Sequence, residues 1–234
     1  MDNQVVPPGV SGREVVQDFS TCTVQDIACE LALNNLGDFE PLDFKLNVGQ
    51  FMKEISFFKN DWVDYLPRTD VRNNRKGLVL SNLPGKSHQD NPSLPQACLE
   101  AKRRLSEADF NERTEVYDAC ESLHPLLDYF SPLGRTFLVN CGIGGFFVPH
   151  RDQPYMPRET FRVAVFLNKC GPYEYDWLVD DKKINIELGR AYYINTRRMH
   201  RTISWANDSI HLIMNIPFTP ENVSKCIAKL QHRH

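Results

Sequence analysis

Apolar positions recur at helical spacing in the first half of the chain and in short strand-like runs in the second. Thr23 and Asp26 stand in capping-box spacing ahead of Ile27, Leu31 and Leu33, and Gly37 follows, which predicts a helix. Asn47 and Gln50 open a second segment with Phe51, Ile55 and Phe58 on one helical face. Residues 94–107 and 114–130 predict further helices, whereas the turn-rich stretch 81–95 predicts a surface loop. From about residue 135 the pattern changes. RTFLVNC, FRVAVFLN, INIEL, AYYIN and HLIMNIPF are short, rich in β-formers and separated by Gly, Pro and Asp turn signals. Strands of this length and spacing predict a sandwich or barrel. The stretch from Glu221 to Leu230 predicts a short closing helix. The expected organisation is one α+β folding unit: a mainly helical region 1–130 packed on a β-core 131–220, then a helix or tail 221–234.

Composition narrows the class. The chain has 234 residues, 41% hydrophobic and 24% charged, which is ordinary for a globular protein and excludes a collagen-like or wholly disordered chain. Its net charge of −3 gives no footprint for nucleic acid or an anionic membrane, so neither is an expected partner. No apolar run reaches transmembrane length, and the first residues lack the pattern of a secretory signal. The seven cysteines include no C-x-x-C pair; they read as reduced thiols, and a cytoplasmic location is expected.

The densest polar cluster is His150-Arg151-Asp152, directly after the apolar run GGFFVP. Residues two apart on an extended segment point to the same face, so His150 and Asp152 can act together. A second histidine, His200, follows the strand AYYIN about 50 residues on. Two imidazoles and one carboxylate compose the 2-His-1-carboxylate set that holds Fe(II) and leaves coordination positions open. Zinc accepts the same ligands, and a surface turn with an ion pair would use the same tripeptide.

Over residues 137–218 the chain resembles the aspartyl/asparaginyl β-hydroxylase-like branch of the Fe(II)- and 2-oxoglutarate-dependent oxygenases, a branch that includes bacterial proline hydroxylases. The resemblance rests on FLVNCGIGGFFVPHRDQPYMPRETFRVAVFLN and GRAYYINTRRMHRTISWANDSIHLIMNIPF. It implies a double-stranded β-helix core, jelly-roll or cupin-like, with the metal at its open mouth. It places the metal ligands at His150, Asp152 and His200, and implies Fe(II), 2-oxoglutarate as co-substrate and O2.

The distal carboxylate of 2-oxoglutarate needs a cation, and arginine offers a bidentate fork that stays charged. The resemblance points to Arg162, which alternation sets on one strand face with Ala164 and Phe166. An arginine in so apolar a strand requires an anionic partner, which an Asp or Glu of the chain would also provide. The family usually carries a further arginine about ten residues past the distal histidine; here Ile210 and His211 stand there. His211 is then a candidate donor to the co-substrate, or a core histidine. Asn140 is a third candidate for co-substrate binding, or an ordinary strand amide. Arg158 and Tyr155 follow the metal motif, where a substrate would approach, and Arg72 and Arg75, with Lys76, form a basic cluster that would meet a substrate carboxylate or lie in a solvated loop.

The expected activity is that of a dioxygenase hydroxylating an unactivated C–H bond with release of succinate and CO2. The absence of a peptide-binding repeat favours a small substrate, a free amino acid, over a peptide or protein side chain. A metal-dependent cupin enzyme without 2-oxoglutarate and a non-catalytic β-sandwich are the alternatives; the first would not need a buried Arg162, and the second would not need the triad.

Overall fold

The computed structural model describes residues 22–65, 74–152 and 158–230. Tyr155 and Arg72 lie outside them. The elements run α1 (Val24–Asn35), β1 (Phe39–Lys45), α2 (Val48–Ile55), β2 (Val63–Asp64), β3 (Arg75–Asn82), α3 (Leu94–Ala101), β4 (Glu112–Arg113), α4 (Glu115–Ala119) and α5 (His124–Leu127). Then follow β5 (Thr136–Cys141), β6 (Phe146–His150), β7 (Thr160–Asn168), β8 (Tyr175–Val179), β9 (Lys182–Lys183), β10 (Arg190–Ile194), β11 (His200–Ser204), β12 (Ser209–Pro217) and α6 (Pro220–Ala228).

Two antiparallel sheets face each other. The large one runs β1-β10-β7-β12-β5-β3-β2, with β4 on β3, and the small one β6-β11-β8-β9. From β5 to β12 the chain alternates between the sheets except where β8 passes to β9, the winding of a double-stranded β-helix. Strand alternation makes two cores. Phe161, Val163, Val165 and Leu167 of β7 face outward onto Leu33, Phe51, Ile55, Leu126 and Phe130 of the helical layer. Ala164 and Phe166 face inward, among Phe137, Val139, Trp177, Tyr192 and Ile213 between the sheets.

The capping box of α1 is present, with the Thr23 hydroxyl accepting from the Asp26 amide at 3.1 Å. Asn47 caps α2 through the Gln50 amide in the same way. Elsewhere local structure departs from the sequence expectation. The helix expected over 94–107 stops at Ala101, because Lys102 takes a left-handed conformation (φ 52°). The one expected over 114–130 breaks at Cys120 (φ −92°, ψ 64°) and restarts as α5 with Pro125 in its first turn. INIEL forms no ladder. There the Tyr192 hydroxyl donates to the Asn185 carbonyl and accepts from the Glu187 amide, so a side chain replaces a partner strand.

The N-terminal half contributes strands as well as helices. β1 pairs with β10, and β3 pairs with β5, so N-terminal strands flank the winding on both sides of the large sheet. β3 is buried at seven of its eight positions, a pattern with no alternation to mark it as strand. Gly77 permits the close approach of Pro92, whose Cγ would lie 2.3 Å from an added Cβ.

Candidate metal centre

The small sheet builds the centre. In β6 and β11, His150 pairs with His200 and Phe147 with Thr202. Three steps along β6 thus match two along β11, so β6 carries a bulge that takes up one extra residue. Val148 and Pro149 are exposed there, on an edge strand where a proline costs no ladder bond. The bulge returns His150 to the interior face occupied by Phe147. Asp152 follows, its amide donating to the Thr196 carbonyl at 2.8 Å.

One donor atom from each of His150, Asp152 and His200 lies within 4.8 Å of the others. His150 Nε2 is 3.4 Å from Asp152 Oδ1, and His200 Nε2 is 3.7 Å from Asp152 Oδ2. The Nδ1 atoms stand 2.7 Å from the Val148 carbonyl and 3.1 Å from the Arg198 carbonyl. A carbonyl only accepts, so each Nδ1 carries the proton and turns Nε2 inward. Burial pushes the His200 pKa down to about 4, which leaves its ring neutral and Nε2 with a lone pair. That Nε2 is buried with no hydrogen-bond partner, as expected of a metal ligand. Burial opposes the Asp152 charge, but the Arg162 guanidinium beside it outweighs that and holds the carboxyl well below the usual range. The donor set and its geometry fit a divalent metal.

Arg162 reaches this carboxylate from the large sheet. Its Nη1 is 2.6 Å from Asp152 Oδ2, and its Nη2 donates to Asn215 Oδ1 at 3.1 Å. Asn215 in turn donates to the Arg135 carbonyl at 2.7 Å. The anionic partner expected for Arg162 is here Asp152. Asn215 shares an inward strand face with His211 and Ile213, a period-2 signal in HLIMNIPF that would have flagged it.

His211 is buried in the same interior, with its ring 5.2 Å from Tyr175 and 6.0 Å from Trp177. Burial, reinforced by Arg75 and Arg162, lowers its pKa to about 3, so it is neutral. Asn140 sits elsewhere: alternation in β5 turns it away from inward-facing Val139 and Cys141, and it donates to Asp208 at 3.4 Å. Arg158 is not free for substrate. It is buried in a bidentate ion pair with Glu30 of α1, which also binds Arg197 at 3.0 Å. Arg75 is on β3 inside the barrel rather than in a basic loop, because Tyr65, Phe147 and Cys141 enclose it.

Fold and centre together define a jelly roll with a 2-His-1-carboxylate site. No protein-family model matches the sequence, and no curated protein does. Remote likenesses to solved structures exist. A Pseudomonas putida prolyl-4-hydroxylase is 12% identical with a TM-score of 0.46, over 81% of this chain and 99% of that one. A Trichoplax adhaerens prolyl hydroxylase in complex with a hypoxia inducible factor peptide fragment is 10% identical with a TM-score of 0.44, over 92% and 100%. KdgF from Halomonas is 11% identical with a TM-score of 0.36, over 70% and 91%. Likenesses this remote do not identify an activity. Among the described residues no helix is long and apolar enough to cross a membrane.

Proposed function

We propose that the chain is an Fe(II)- and 2-oxoglutarate-dependent dioxygenase that hydroxylates a small substrate, a free amino acid. The observation that carries this reading is the convergence of His150, Asp152 and His200 at one end of the barrel, with the His200 Nε2 buried and unpartnered. Iron with 2-oxoglutarate and O2 would supply the oxidising chemistry, releasing succinate and CO2. The chain's own residues do the rest. The Val148 and Arg198 carbonyls orient the imidazoles, and Arg162 keeps Asp152 ionised and aimed. Trp177 lies parallel to His200 at 6.4 Å and, with Phe166, gives the ligands an aromatic flank. Tyr155 and Arg72 are the proposed substrate contacts.

Anaerobic titration of the apoprotein with Fe(II) and then 2-oxoglutarate tests the reading, followed by a screen of amino acids and peptides for succinate release. The expected result is a visible absorption band that needs both additions, and turnover with an amino acid. Metal binding without any response to 2-oxoglutarate would overturn the oxygenase assignment. Turnover with peptides alone would overturn the substrate.

A further inference from the structure

Three arginines inside this protein sit against carboxylates: Arg135 on Glu107, Arg158 on Glu30 and Arg162 on Asp152. Arg75 does not. It is only 4% exposed, yet among the described residues no carboxylate pairs with it, and its Nε is buried without a hydrogen-bond partner. Its guanidinium lies 3.7 Å over the Phe147 ring and 5.0 Å from that of Tyr65. Aromatic faces offset part of the lost hydration, but they do not neutralise a buried cation.

Its surroundings are polar and equally unpartnered. His211 Nδ1 is buried with no hydrogen-bond partner, and the buried Tyr175 hydroxyl has only the Thr202 hydroxyl and the Cys141 thiol beside it, neither in full hydrogen-bond geometry. Orphaned buried polar atoms are uncommon, and several in one place mark a site for a polar ligand or ordered water. These groups line the route inward from the metal ligands. Thr202 is two residues past His200 on the same strand face, about 7 Å along β11. Tyr175 pairs with Ser204, two residues deeper again. His211 lies next to Trp177, which stacks on His200.

We propose that Arg75, with His211 and Tyr175 as neutral hydrogen-bond partners, holds the distal carboxylate of 2-oxoglutarate, and that Arg162 serves the metal-binding carboxylate instead. This rests on the oxygenase reading above. β3 lies outside the winding formed by β5 to β12, so the cation comes from a flanking strand, where Arg75 pairs with inward-facing Cys141. A keto acid held at His150, Asp152 and His200 would leave its distal carboxylate to meet an arginine that has no anion among the described residues.

The test compares 2-oxoglutarate with pyruvate, a keto acid that lacks the distal carboxylate, by calorimetry on the full chain loaded with Mn(II). Wild type is expected to bind 2-oxoglutarate much more tightly than pyruvate. Arg75→Met should weaken 2-oxoglutarate by roughly 100-fold while leaving Mn(II) and pyruvate affinities within about threefold. Arg75→Lys should recover part of the loss, because it restores the charge without the fork. Arg162→Met should weaken Mn(II) binding, because it frees Asp152, yet at saturating Mn(II) it should still prefer 2-oxoglutarate to pyruvate; loss of that preference would return the anchor to Arg162. If Arg75→Met keeps that preference, or loses both keto acids alike, Arg75 is not the anchor and the oxygenase reading stands. If wild type binds Mn(II) but neither keto acid, the oxygenase reading itself falls.

Discussion

At the scale of single residues the interior histidines are defined by what they lack. His211 has a pKa of about 3 in the fold against about 6.5 in an unfolded chain, because burial and two nearby arginines oppose its charge. The folded protein therefore resists a proton that the unfolded chain accepts. The stability due to neutral His211 is fully present above about pH 6.5 and is lost as pH falls towards 3. Over that window it should cost up to about 1.4 kcal/mol per pH unit. His211→Gln should show a shallower fall of melting temperature with pH between 6 and 4; parallel curves for the two proteins would show that His211 is not buried neutral. Because His211 stays neutral at working pH, it should add no pH dependence to 2-oxoglutarate affinity between 6 and 8. His200→Ala should abolish stoichiometric Mn(II) binding, read by electron paramagnetic resonance, while far-UV circular dichroism stays unchanged. The convergence of His150, Asp152 and His200 was legible because H-x-D and the later histidine each follow a strand run, in the order that the resemblance over 137–218 implies. The role of Arg75 was not, because a polar stretch hides that the strand it opens runs into the barrel.

At the scale of elements, α1 is tied to the core by charge as well as by its apolar face. Ile27 and Leu31 are exposed, and Leu33 is buried beside Glu30. Glu30 is 128 residues from Arg158, a pairing that no local pattern announces. Removing one partner leaves a buried charge uncompensated, so Glu30→Gln should destabilise the fold by about 3–5 kcal/mol in urea titration. A Glu30→Leu, Arg158→Met, Arg197→Met variant, which removes both cations that Glu30 holds, should recover most of that loss; a triple variant as unstable as the single one would mean that this charge cluster is not the tie. β3, buried at seven of its eight positions, escaped the sequence reading for a related reason. Strands covered on both faces lose the alternation that marks a strand, whereas the strands from 135 onward are fenced by glycines and prolines that mark their ends.

At the scale of the whole molecule the centre bridges two sheets. His150 and His200 belong to the small sheet, and Arg162, which grips Asp152, to the large one. Metal that binds only the folded chain should raise stability by about 2.7 kcal/mol at a hundredfold excess over its dissociation constant. The melting temperature should rise with Mn(II), fall back with a chelator, and stay put in His200→Ala; a metal-induced rise in that variant would place the site elsewhere. The bulge in β6 gives this assembly an unexpected tolerance. Side chains along a strand keep an even-odd count, and the extra residue between Phe147 and His150 is absorbed without changing which face the histidine takes. Removing one residue at Val148 or Pro149 would leave two steps from Phe147 to the histidine, matching the two from Thr202 to His200, so the ring would stay on the interior face. This end of the barrel is therefore written in strand register as much as in residue identity: a single-codon deletion there would straighten the edge and spare the ligand, whereas a one-residue slip of the whole edge strand, altering no ligand, would leave the seat open on one side.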